Sequence, residues 1–119
     1  MRKDIYIGVG DSVTTAKGFI DAWKRVESNE KVKAEYRLDF ESLETLLKTL
    51  TPGRWVLLKK LRKTGPMSIR ALAKELKRDY KNVHTDIKRL ESIGLISRTR
   101  DERVKVPWDM VEARLQLAA

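Results

Sequence analysis

Cap residues divide the stretch from Thr51 to Gly94 into three short amphipathic segments, and that punctuation constrains the fold more than any other feature. Thr51-Pro52 opens the first segment, with a hydroxyl able to cap and a proline where a missing N–H is harmless. Its apolar residues Trp55, Leu57, Leu58 and Leu61 run on to Lys63, and Lys63-Thr64-Gly65-Pro66 ends it. Ser68 caps the second, SIRALAKELK, in which Ile69, Leu72, Ala73 and Leu76 are spaced for one buried stripe. Asp79 caps the third, from Tyr80 to about Ile93, with Val83, Ile87 and Leu90 as its buried seam and Gly94 as its stop. LISRT and RVKVP then read as two short β segments around Arg100-Asp101-Glu102. Pro107-Trp108 opens a final amphipathic helix with Trp108, Val111 and Leu115 on one side.

Helix, helix, turn, helix, hairpin, helix is the element order of a winged helix-turn-helix. Upstream, Ile5, Ile7 and Val9 alternate as in a strand with one buried face. Asp11-Ser12 can cap a helix to about Ser28, with Trp23 in its apolar stripe. From Lys31, KVKAEYRLDF alternates strictly for ten residues, with Tyr36, Leu38 and Phe40 on the apolar face. Residues 41–50 return to helical spacing through Leu43, Leu46, Leu47 and Leu50. The reading is a mostly helical α+β chain: a β-α-β-α segment over 1–50, a winged helix-turn-helix over 51–107 and a helix over 108–119. Two strands make a marginal sheet, and the second has an edge to protect. The first segment therefore either dimerises or binds a protein, or packs against the second.

Charge is divided along the same line. The chain of 119 residues carries +9, yet residues 1–50 hold nine basic and nine acidic side chains. The whole excess lies in residues 51–119, which points to a polyanion partner for that half. No apolar run approaches the roughly 20 residues of a membrane span. Cysteine is absent, which agrees with a reducing cytoplasm, and His84 is the single imidazole. Neither a metal site nor a cofactor signature nor a GxxxxGK[ST] loop is present, and the acidic residues are too scattered for a two-metal nuclease. The expectation is a cytoplasmic, non-enzymatic protein without cofactor.

The third helix carries the residues suited to duplex DNA. Outside its seam stand Tyr80, Lys81, Asn82, His84, Thr85, Lys88 and Arg89. Asn can bridge an adenine edge and Arg a guanine edge, while Lys and Tyr hold phosphates. The hairpin adds Arg98, Arg100, Arg103 and Lys105, and Ser68 and Arg70 stand at the start of the second helix. Asp86 and Glu91 would repel phosphate unless paired with neighbouring Lys or Arg. Lys59, Lys60, Lys74 and Lys77 fit an ordinary solvated face, and Trp23, Trp55 and Trp108 fit core or interface anchors better than base-stacking platforms.

SIRALAKELKRDYKNVHTDIKRLESIGLI, residues 68–96, is similar to the winged helix-turn-helix of MarR- and ArsR-like regulators. With LTPGRWVLLKKL (50–61), GPMSIRALA (65–73), VKVPWDMV (104–111) and DFESLETLLKTLTPGR (39–54), the chain resembles a family of short prokaryotic DNA-binding regulators over residues 35–112. The resemblance implies a transcriptional regulator in which Tyr80, Lys81, Asn82, His84 and Thr85 read DNA and residues 98–103 form the wing. Members often sit beside a small toxin of the TumE type, which implies an autorepressing antitoxin with that toxin as second partner. The wing departs from the pattern in having no Gly at its tip, Arg100-Asp101-Glu102-Arg103. The expected function is a homodimeric, sequence-specific repressor. A stand-alone regulator without a toxin, or an adaptor that binds protein through the same scaffold, is the alternative.

Overall fold

The computed structural model of the chain describes residues 2–10, 36–115 and 117. The helix expected over Asp11–Ser28, with Trp23, and the strand residues 31–35 lie outside the described residues. The α+β chain divides into two compact units, residues 1–48 with 109–119, and residues 49–108. Among the described residues no helix is long and apolar enough to cross a membrane.

The first unit is built on a parallel sheet. Strand β1 (Asp4–Val9) lies between β2 (Tyr36–Phe40) and β5 (Met110–Arg114), in the order β2-β1-β5. Ile5 is level with Tyr36 and Val111, and Ile7 with Leu38 and Ala113. Side chains level across a ladder share a face, so Ile5, Ile7, Val9, Leu38, Val111 and Ala113 form an apolar side. Ile5, Ile7 and Phe40 are buried. Helix α1 (Leu43–Thr49) follows β2, started by Ser42, whose Oγ accepts the Thr45 N–H at 3.1 Å. Of its four expected apolar positions, Leu46 and Leu50 are buried while Leu43 and Leu47 are exposed.

Strand β5 corrects the helix expected over residues 108–119. Trp108, Val111 and Leu115 fit a helical stripe, but Val111, Ala113 and Leu115 also alternate as a strand does. A partner more than a hundred residues away decides between them. Asp109 donates its N–H to the Lys3 carbonyl at 2.7 Å, its Oδ2 accepts the Lys3 N–H at 2.7 Å, and the ladder to β1 begins there. The same strand gives the sheet a third member from within the chain.

The second unit follows its caps. Helix α2 spans Pro52–Thr64, α3 Ile69–Leu76 and α4 Tyr80–Ser92. Thr51 Oγ1 accepts the Arg54 N–H at 3.3 Å and Ser68 Oγ that of Ala71 at 3.1 Å. Asp79 holds the corresponding position before α4, but its carboxylate makes no cap hydrogen bond, contrary to expectation. Helix α3 ends in a Schellman turn, with Arg78 N–H on Ala73 O and Lys77 N–H on Lys74 O, both at 3.1 Å. The left-handed residue there is Lys77, φ 53°, where glycine is usual. Helix α4 ends the same way on Gly94, φ 86°, with Leu95 N–H on Leu90 O at 3.0 Å.

Strands β3 (Ser97–Arg98) and β4 (Val104–Lys105) pair antiparallel, and Met67 bridges Val104 on the other side through two backbone hydrogen bonds of 2.9 and 3.2 Å. The strands are two residues each, shorter than LISRT and RVKVP suggest. Val83, Ile87 and Leu90 of α4 are fully buried, as are Leu57 and Leu61 of α2 and Leu72 of α3. Trp108 closes this core, its indole N–H donating to Gly94 O at 2.9 Å, as an anchor should, while Trp55 is half-buried.

Candidate nucleic-acid interface

The buried seam of α4 fixes which of its residues share an exposed face. Successive residues turn by about 100° at 3.6 per turn. With Val83, Ile87 and Leu90 inward, Lys81, Thr85 and Lys88 point directly away, flanked by Asn82 and Arg89. All five are exposed. Tyr80 and His84 lie on one margin of the helix and Asp86 on the opposite one. The seven residues singled out from sequence therefore do not all share one face: Asn82 and His84 sit on opposite margins.

The Tyr80 margin is tied to α3. Arg70 places its guanidinium carbon 4.9 Å from the Tyr80 ring centroid, and the Tyr80 and His84 rings are 5.9 Å apart. A cation over a ring face gains from the ring quadrupole and loses rotamer freedom, so Arg70 is held at the surface in one orientation. Thr85 Oγ donates back to the Lys81 carbonyl at 3.0 Å, leaving its lone pairs to accept. Ser68 Oγ accepts the cap bond described above and keeps its own proton to donate. Because Asp79 caps nothing, the first-turn N–H groups of α4 take no side-chain partner from it, and such groups favour an anion.

Both acidic residues within α4 are neutralised. Asp86 accepts Arg54 Nε–H at 3.0 Å and Arg78 Nη2–H at 2.7 Å, one from α2 and one from the α3–α4 turn. Arg54 Nη1 also donates to Thr49 O at 2.7 Å. Arg78 Nη1 is buried without a hydrogen-bond partner. Glu91 pairs with Arg98 at 2.8 Å and with Lys88 at 4.0 Å. Sequence spacing gives no signal for Arg54 or Arg78 meeting Asp86, because those residues are 32 and 8 positions apart.

The hairpin holds its arginines unequally. Arg98 is turned back onto Glu91, whereas Arg103 pairs with Asp101 at 3.1 Å and Arg100 is exposed. The turn is closed by Thr99 N–H on Arg103 O at 2.8 Å and by Thr99 Oγ1 bonding Asp101. That hydroxyl holds the Asp101 carboxyl below its ordinary range, with Arg103 adding to the effect. Glu102 adopts φ 62° in the turn. Among the described residues, no ion pair engages Arg70, Lys81, Arg89 or Arg100, and no group of acidic or His side chains could hold a metal.

Net charge follows the units. Residues 49–108 carry sixteen basic and six acidic side chains, and the remainder ten and eleven, so +10 stands against −1. An α+β chain with an exposed, acid-free stripe on one helix and +10 on that unit is defined by these features. Residues 49–113, more than half of the chain, match the HVO_A0114 family, and the chain belongs to it. No curated protein and no solved structure matches.

Proposed function

We propose that residues 49–108 form a winged helix-turn-helix that binds double-stranded DNA sequence-specifically, and that the chain is a transcriptional regulator. Helices α3 and α4 are the two helices of the motif, and β3, β4 and Met67 form the wing. The observation that carries this reading is the exposed stripe of Lys81, Asn82, Thr85, Lys88 and Arg89, from which the helix's own carboxylates are withdrawn by Arg54, Arg78 and Arg98. In a major groove, the Asn82 amide suits an adenine edge and Arg89 a guanine edge. Lys81, Lys88, Arg70 and Arg100 suit phosphates, which fix register.

Fluorescence anisotropy with duplexes from upstream of the gene tests this. Wild-type affinity should fall with salt on a log–log slope steeper than about −3, as four or more phosphate contacts require. Asn82→Ala should weaken the specific site by about 10- to 100-fold and leave random duplex binding nearly unchanged. Arg100→Ala should weaken both alike and reduce the slope by about one. No binding to any such duplex at low salt would favour a protein-binding adaptor instead. The resemblance to toxin-linked regulators adds a small neighbouring toxin as partner of the charge-neutral unit. Co-purification of the two products would support that antitoxin role, and separate elution would leave a stand-alone regulator.

A further inference from the structure

The sheet unit ends on an edge whose residues are complementary to themselves. Among the described residues, no strand pairs with the outer side of β5, which presents a row of backbone donors and acceptors. Natural edges are usually blunted by proline, a bulge or an inward lysine, and Met110–Leu115 contains none of these. Large apolar side chains instead collect there: Met110 is 44%, Leu115 47% and Leu117 97% exposed. Glu112 and Arg114, on the polar face of the sheet, lie either side of Ala113 in sequence and 3.7 Å apart, with Arg114 mostly and Glu112 partly in solvent.

We propose that β5 pairs antiparallel with β5 of a second copy of this chain, about a two-fold axis through Ala113, so that two three-stranded sheets become one of six strands. The register follows from charge and face. An axis at Ala113 sets Glu112 opposite the partner's Arg114, twice, and Val111 opposite the partner's Leu115. Moving the axis to Glu112 or to Arg114 brings like charges face to face, and moving it to Val111 pairs no charges. A shift by an odd number of residues would join the apolar side of one sheet to the polar side of the other. The axis at Ala113 alone sets opposite charges face to face; it also continues the apolar side carrying Ile5, Ile7 and Val111 across the contact, with a small residue where the two backbones approach closest. This two-fold, isologous contact does not depend on what α4 binds.

Sedimentation equilibrium of the full chain without DNA tests the pairing. The wild type should be a dimer. E112R sets two guanidiniums opposite one another on each side of the axis and should raise the dissociation constant at least about tenfold, with circular dichroism unchanged. E112R/R114E reverses both charges, is again self-complementary, and should restore the dimer. The chain has no cysteine, so A113C should cross-link to its own copy under oxidised glutathione, whereas V111C, which faces Leu115 instead, should not. A monomeric wild type, a dimer indifferent to E112R, or failure of the double variant to recover would overturn the proposal. An Asn82→Ala variant that loses DNA specificity while remaining a dimer would separate this contact from DNA reading.

Discussion

Replacing Asp86 by alanine leaves two guanidiniums facing each other with no carboxylate between them. The geometry sets the size of the effect. Asp86 meets Arg54 at 3.0 Å and Arg78 at 2.7 Å, with side-chain exposures of 14%, 16% and 34%. Removing one partner of a fully buried pair costs about 3–5 kcal/mol, whereas an exposed pair is worth about 0–1 kcal/mol. Arg54 keeps the Thr49 carbonyl and Arg78 keeps a third of its surface in water, which discounts the upper figure. The loss should therefore be about 2–3 kcal/mol. For a unit of 60 residues that corresponds to a midpoint lowered by about 10–20 °C. Urea and thermal unfolding followed by circular dichroism would measure it. Glu75→Gln, which breaks the exposed Lys60–Glu75 pair of 3.5 Å, is the control and should cost less than about 0.5 kcal/mol. An Asp86→Ala variant as stable as that control would refute the reasoning.

Two residues hold left-handed backbone conformations that favour glycine, Lys77 at the end of α3 and Glu102 in the hairpin. Lys77→Gly and Glu102→Gly should each stabilise by about 0.5–1 kcal/mol, read as a higher urea midpoint, since the strain relieved exceeds the added entropy of the unfolded chain. Asp101 has its carboxyl pulled below the ordinary value by the Thr99 hydroxyl first, then by a backbone hydrogen bond, with the Arg103 charge adding less. A lowered folded value means that the stability it adds is present above the ordinary carboxylate range and disappears as pH falls through the lowered one. Carboxyl chemical shifts should show this depressed midpoint, and Thr99→Val should return it toward the ordinary value. Trp108→Phe deprives the Gly94 carbonyl of its indole donor and should cost about 1 kcal/mol, measured by the same denaturation.

The helices α2, α3 and α4 are legible in the sequence because local chemistry starts and stops them. Thr51, Ser68 and Gly94 act where their residue types say they should. The exposed stripe of α4 is legible too, because Val83, Ile87 and Leu90 leave only one way to orient the helix. Strand β5 is not, because MVEARL satisfies both helical and strand periods and is settled by hydrogen bonds to Lys3 and β1. Nor does sequence spacing place Arg54 and Arg78 on Asp86 or Arg98 on Glu91. Of the residues expected at DNA, Arg98 is the one whose ion pair to an acid of α4 the sequence does not show.

The pairing of β1 with β5 makes residues 49–108 an insertion between the second-last and last parts of the sheet unit. During synthesis, at about 5–20 residues per second, the inserted unit is contiguous and can close its core as soon as Trp108 has emerged. The sheet unit begins first, yet it lacks an edge strand until residues 110–114 follow. Translation therefore supplies the last residue of the basic unit before the last strand of the sheet unit, and any association that runs through β5 must wait for residues 110–114. A chain released after Trp108 would carry the complete exposed face of α4 but not the strand proposed to join two copies.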